Sequence, residues 1–342
     1  MISQLHCWIT RRIPAVLQCQ VKTEGWELIE PFVTARDSMS VLPVITVTLT
    51  DDLGRQGRAE AAGVDYDGET PGTMSTQLSA LYTRLDDKTT GEDLLEWLPS
   101  GGARNALDCA LWDLRAKQRG LPVWQLAGLD YPRPLESAFT IGLGDEPTTR
   151  RKARESAKFP LLKIKVNADV HLDAIRWVRE ERPTARLIID ANQGWSYGLL
   201  AQLLPQLQEL GVELIEQPLP RGTDRKLGDL DSPIPIAADE SCTDRTSLPS
   251  LIGKYQYITI KLDKCGGLSE ALAMCRDATR LGFGLMVGNM CGSSLAMAPA
   301  FLIAQSCRYV DLDGPLLQRQ DRSPPIRYEG ALMHAPEAAL WG

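Results

Sequence analysis

Between residues 161 and 261 five short apolar runs each end in a charged residue: LLKIK (Lys163, Lys165), RLIID (Asp190), VELIE (Glu216), PIPIAAD (Asp239) and YITIK (Lys261). From Lys165 onward the terminal charges are 25, 26, 23 and 22 residues apart. That interval accommodates one strand, one helix and two loops. The stretch therefore predicts successive βα units of one parallel sheet, with a charge at each strand's carboxyl end. ESAFTIG before it, and FGLMVG and RYVDLD after it, bring the strand candidates to eight, separated in most cases by helical segments such as HLDAIRWVREE and LSEALAMCRDATRLG. Eight parallel strands with intervening helices close into a barrel rather than an open sheet.

The chain ahead of these repeats is organised differently. Residues 1–14 carry no motif, and VITVTLT (44–50) alternates strictly, predicting a hairpin with GRAEAAG that has one wet face. Residues 25–42 and 63–72, rich in Gly, Pro and Asp, are expected to be long functional loops. Helical spacing follows over 69–85 and 103–119. The N-terminal third thus reads as α+β.

At 342 residues the chain is long for one core, and with 44% apolar and 24% charged residues it has the composition of an ordinary globular protein. A formal charge of −7 argues against nucleic acid or an anionic membrane as partner and favours a small molecule. The eight cysteines are scattered without a CxxC pair, which suits free thiols in a reducing cytoplasm. The sequence has no apolar run long enough to span a membrane and no signal-peptide order at its start.

In a barrel, catalytic groups gather at the carboxyl ends of the strands, where every charge above falls. Counting from Glu136, Lys163 and Lys165 lie on the second strand and Lys261 on the sixth, opposite each other in a ring of eight, with Asp190, Glu216 and Asp239 on the arc between. Three buried carboxylates at such range repel unless a cation neutralises them, and an all-oxygen set selects a hard ion, Mg²⁺ first and Mn²⁺ second. Lys163 and Lys165, two apart on a strand, point to one face, so Lys163 can tune Lys165 as a base. Opposed lysines around a metal suit proton removal alpha to a carboxylate, and a base on each face permits inversion.

These residues form a recognisable set. From PFVTAR through ARNALDCALWDLRAK, KIK, DANQGW, IEQPL, ADES and KLDKCGG to DLDGP, the chain resembles the enolase superfamily, in the subgroup of the muconate cycloisomerases. The resemblance implies a modified TIM barrel, (β/α)7β, over residues 134–317, with an N-terminal α+β capping domain over 1–133 onto which 318–342 folds back. It implies Asp190, Glu216 and Asp239 as metal ligands with Asn192 beside them, Lys165 and Lys261 as the acid/base pair, and Lys163 as partner of Lys165. The mandelate racemase subgroup would need a histidine at the end of the seventh strand, but His6, His171 and His334 all lie elsewhere.

Asp311 and Asp313, two acids on one face at the end of the eighth strand, look like the signature of dipeptide epimerases, where such a pair receives the substrate's α-ammonium. Arg36 of PFVTAR matches an arginine that reads a glutamate side chain in the L-Ala-D/L-Glu epimerases, and Tyr66 is a weaker candidate in the second loop. The expectation is an isomerase: a Mg²⁺-dependent dipeptide epimerase of murein peptide recycling, possible as a homo-oligomer, with an N-acylamino acid racemase or cycloisomerase as the alternative.

Overall fold

The structure, a computed structural model, describes residues 15–33, 38–169 and 171–342. Arg36 lies outside the described residues. The chain opens with a three-stranded antiparallel sheet, β1 (Gln18–Val33), β2 (Ser38–Thr50) and β3 (Gln56–Ala61), in that spatial order. Helices α1 (Pro71–Ser79), α2 (Gly91–Trp97), α3 (Gly102–Arg119) and α4 (Val123–Leu126) follow. Helix α3 lies against the apolar face of the sheet, where Ile45, Val47 and Leu49 are fully buried. Its backbone approaches so closely that a Cβ at Gly57 would sit 2.2 Å from Ala110 O, so only glycine fits.

Two expectations for this region are corrected. Residues 25–33 and 38–42 are strand rather than loop: Gly25 pairs with Pro43 and Trp26 with Leu42 in one long hairpin. The Gly and Pro that signalled a loop are tolerated because β1 is an edge strand with one ladder. The threonine face of β2 is also not uniformly wet, since Thr46 is buried under Arg322, whose guanidinium donates to Thr46 Oγ1 (2.8 Å).

The second body begins at β4 (Leu135–Glu136), which pairs not with the barrel but with a C-terminal hairpin, β13 (Tyr328–Glu329) and β14 (Leu332–Met333). Between them run eight parallel strands in sequential order: β5 (Phe139–Ile141), β6 (Leu161–Lys165), β7 (Arg186–Asp190), β8 (Val212–Glu216), β9 (Ile236–Ala238), β10 (Tyr257–Ile260), β11 (Gly284–Val287) and β12 (Tyr309–Val310). Ala138 N donates to Val310 O (2.7 Å) across the seam where the curled sheet meets itself. The crossovers carry α5 (Glu146–Glu155), α6 (Leu172–Glu181), α7 (Tyr197–Glu209), α8 (Leu248–Leu251), α9 (Leu262–Cys265), α10 (Leu268–Arg280) and α11 (Ser294–Ala304). The β8–β9 connection holds a 3₁₀ segment, Asp224–Asp229, instead of an α-helix.

The two-residue period of the strands sorts the barrel into layers. Leu162, Leu187, Ile189 and Ile215 face the helices, whereas Ala138, Leu161, Ile188, Leu214, Ala237, Met286 and Tyr309 form a separate apolar cluster. Two residues further along the same strands stand Thr140, Lys163, Asp190, Glu216, Asp239 and Asp311, all buried. The polar layer thus rests on an apolar plug that keeps water from reaching it from below.

The C-terminal segment returns to the first body. The Arg58 guanidinium donates to Ala339 O (3.2 Å) and Leu340 O (3.3 Å), and Trp341 Nε1 to Cys109 O (3.0 Å). Arg322 joins the two bodies through Glu24 (2.7 Å) and Glu60 (2.6 Å) while its guanidinium covers the Trp26 ring at 4.6 Å.

Candidate active site

A cavity of about 250 Å³ opens at the carboxyl end of the barrel. Its floor and walls include Lys163, Lys165, Asn192, Lys261, Asp311 and Asp313, and the first body closes over it with Phe32, Leu42, Gly63 and Glu69. Tyr66 is half-buried within the short 3₁₀ turn Asp65–Asp67; of that turn Asp65 lines the cavity and Tyr66 does not.

Strand register brings the charges together. Lys165 pairs with Asp190 and Asp190 with Glu216, while Asp239 follows β9 directly. One carboxylate oxygen from each of Asp190, Glu216 and Asp239 lies within 4.8 Å of the others. Lys165 Nζ donates to Asp190 Oδ2 (2.7 Å) and Asn192 Oδ1 (3.0 Å), and Lys261 Nζ to Asp239 Oδ2 (2.7 Å). Lys163 Nζ touches Asp190 (3.0 Å), Glu216 (2.6 Å) and Asp311 (2.9 Å).

The electrostatics follow from burial and neighbours. Burial opposes ionisation of Asp190, but Lys165 and Lys163 outweigh it and hold the carboxyl well below its usual range. Asp239 is likewise held low against burial, by Lys261 and Lys264. Glu216 goes the other way: burial pushes it up to about 7 despite Lys163. Asp313 is raised to about 7 by burial and by Asp311 beside it. Burial disfavours the Lys163 ammonium, yet Asp311, Glu216 and Asp190 together hold it well above its ordinary value.

Several contributors were not evident from the strand-end pattern. Lys264, one helical turn beyond Lys261, binds both the backbone carbonyl and Oδ1 of Asp239. Thr140 contacts both acids of the eighth strand: its N–H donates to Asp313 Oδ2 (2.7 Å) and its hydroxyl to Asp311 Oδ1 (3.3 Å). Asn289 Nδ2 donates to Asp311 O (2.6 Å). The four non-glycine residues with positive φ among the described residues are Asn192, Gln193, Gln217 and Cys291, all just beyond barrel strands at this mouth. Such backbone is tolerated where surrounding contacts over-determine it. The KLDK and IEQ motifs contain Lys264 and Gln217, but nothing in their spacing reveals which oxygen each would meet.

Two family models cover nearly the whole chain: the mandelate racemase / muconate lactonizing enzyme N-terminal domain over residues 17–128, and the enolase C-terminal domain-like model over 148–339. The chain belongs to the enolase superfamily. Within that superfamily it is 37% identical to the L-Ala-D/L-Glu epimerase of Escherichia coli K12, over 92% of this chain and 98% of that one. It is 39% identical to an N-acetyl-D-glutamate racemase of a Pseudoalteromonas species, over 84% and 91%. An Agrobacterium tumefaciens enolase family member with homology to dipeptide epimerases, solved with sodium and L-Ala-L-Glu, superposes with a TM-score of 0.92 at 41% identity, covering 95% of this chain and all of that one. The relatives' names are those of epimerases and racemases, and this superfamily member is accordingly an isomerase.

The triad fits the Mg²⁺ that enolase-superfamily enzymes bind. Its donors are three carboxylates, and Glu216 Oε1, although buried, has no hydrogen-bond partner among the described residues. A buried carboxylate oxygen left in that state is costly unless a cation takes it. A dipeptide epimerase of Methylococcus capsulatus, solved with Mg and L-Arg-D-Lys, matches at 30% identity with a TM-score of 0.87, over 95% of this chain and 98% of that one.

Proposed function

We propose that the protein is a Mg²⁺-dependent dipeptide epimerase acting on L-Ala-D/L-Glu or a close relative, and that it works in the cytoplasm on peptides released from murein. The observation that carries the substrate reading is the buried pair Asp311 and Asp313 on the cavity wall. Two acids at this depth suit a cationic ligand, and a dipeptide's α-ammonium can meet both through charge-assisted hydrogen bonds. Thr140, on the same cavity wall, hydrogen-bonds to both acids. Of the remaining sequence candidates, Arg36 is retained for the second residue's side-chain carboxylate, and Tyr66 has no role in this reading.

The proton chemistry belongs to two lysines on strands four places apart in the ring. One ε-amine, neutral, takes the Cα proton of the second residue, leaving an enediolate. The opposite ε-ammonium delivers a proton to the other face, so the stereocentre inverts and the roles of Lys165 and Lys261 exchange for the reverse reaction. Asn192 and Asp190 aim Lys165, while Asp239 aims Lys261. When held by Asp190, Glu216 and Asp239, a divalent cation supplies positive charge to stabilise the electron pair that develops on the substrate carboxylate.

The racemase relative supports a second reading, in which an N-acylated amino acid without an ammonium is the substrate. The experiment that separates the two is a comparison of kcat/KM for L-Ala-L-Glu and N-acetyl-L-Glu. A preference for the dipeptide is expected; faster turnover of the acyl compound replaces the first reading with the second.

A further inference from the structure

Gln217 directly follows Glu216, is fully buried, and adopts a left-handed backbone (φ 35°). Side chains other than glycine's seldom accept that conformation. Its backbone ties three strand ends together: its N–H donates to Ala237 O (2.9 Å) and its carbonyl accepts from Gln193 N (2.8 Å). Its side chain is engaged at both ends. Oε1 accepts from Asp239 N (2.9 Å) and Ser241 N (3.0 Å). Nε2 donates to Leu219 O (2.8 Å) and also lies within reach of Ser241 Oγ (3.0 Å) and Tyr255 Oη (3.2 Å).

The placement matters because the sheet itself does not hold Asp239. The β8–β9 ladder stops at the pair Glu216 and Ala237, and β9 ends at Ala238. Asp239 is therefore beyond the last backbone pairing, on a turn that leaves the barrel. Lys261 and Lys264 grip its carboxylate, and Lys264 and the Cys242 N–H also hold its backbone carbonyl, but none of these engages its amide N–H. The Gln217 side-chain carbonyl instead captures the Asp239 amide, continuing the ladder by one side chain where the main chain has stopped.

We infer that Gln217 is a positioning residue that fixes the Asp239 carboxylate relative to Glu216, and so sets the affinity of the triad for a divalent cation. It touches neither substrate nor cation. Its effect is transmitted through the backbone of one ligand, as a hydrogen bond behind a ligand tunes other metal sites.

The test is Mn²⁺ binding by the whole protein, read as the EPR signal of free Mn²⁺ in a titration, with thermal melting of the metal-free protein alongside. Gln217→Met keeps the side chain's length and removes its polar contacts; Gln217→Asn keeps an amide too short to reach both backbone N–H groups. Both are expected to weaken Mn²⁺ binding, Gln217→Met by about 10–100-fold. Tyr255→Phe removes a hydroxyl from the far end of the same network and leaves the Asp239 contact, so it is expected to bind Mn²⁺ as the unmodified protein does. If Gln217→Met does not fold, Gln217→Asn decides. Unchanged Mn²⁺ affinity in the folded Gln217 variants overturns the inference, and so does an equal loss in Tyr255→Phe, which would make the network a matter of packing alone.

Discussion

Lys163 Nζ lies 2.9 Å from Asp311 Oδ2 and at the same time 2.6 Å from Glu216 and 3.0 Å from Asp190. One ammonium therefore joins the carboxylates that fit a metal to the acid pair proposed for the substrate's amino terminus. The link runs across the barrel interior, from β6 to the residue after β12. It joins the metal triad and the acid pair in one continuous charge network.

If Asp311 receives an α-ammonium, its charge matters for dipeptides and not for acylated amino acids. Asp311→Asn is expected to lower kcat/KM for L-Ala-L-Glu by about 10–100-fold, the cost of one hydrogen bond to a charged group. Turnover of N-acetyl-L-Glu, however slow, should not fall in parallel. Steady-state kinetics on both compounds check this.

Burial and Asp311 raise Asp313 to about 7. Below that value the Asp313 carboxyl is protonated and offers an ammonium no charge; above it the carboxylate offers one. An α-ammonium itself loses its proton near pH 8. KM for L-Ala-L-Glu should accordingly fall as pH rises from about 6 to about 7.5 and climb again beyond about 8. In Asp313→Asn the acidic limb should disappear. A flat KM across that range in the unmodified protein contradicts the assignment of the pair.

Stability should respond to pH through the contact between the two bodies. Burial disfavours the Glu24 carboxylate, but Arg322, Lys22 and Thr46 outweigh it and lower its pKa from 4.5 to about 2. A depressed carboxylate contributes stability that is present above the unfolded value of 4.5 and is lost as pH falls toward 2. Glu24→Gln is expected to destabilise by no more than about 1 kcal/mol at pH 7, because the pair is partly screened by solvent. The difference from the unmodified protein should vanish below the folded pKa. Urea melts at pH 7, 4 and about 1.5, the last below the folded pKa, measure it.

The sequence carried the parts of the site that obey the strand period. Lys163, Asp190, Glu216 and Asp239 each stand two residues beyond a member of the apolar plug, so alternation alone puts them on one face. Lys264, Asn289 and Gln217 obey no such period, and Thr140, which does stand two residues beyond Ala138, carries no charge to mark it. They act on a backbone atom, on another side chain's hydrogen bond or across a turn, and these relationships exist only once the strands have closed. The long hairpin β1–β2 departs from the loop its sequence suggests for a related reason: Gly25 and Pro31 normally mark turns, and only the pairing partner Pro43 and the edge position explain a strand there. The β8–β9 connection holds the 3₁₀ segment Asp224–Asp229 because the sequence RGTDRKLGDL has few apolar residues to form a helical stripe.

The central claim, that Lys165 and Lys261 work from opposite faces of one Cα, is tested most directly by proton NMR of L-Ala-L-Glu incubated in D₂O with the protein and Mg²⁺. The unmodified protein should exchange the glutamate α-proton and build up the D epimer, and EDTA should stop both. Lys165→Ala and Lys261→Ala should each abolish epimerisation, and one of them should still exchange the α-proton of the L isomer while the other does so only with the D isomer. Epimerisation that survives in Lys165→Ala, or exchange that persists in EDTA, would contradict the account.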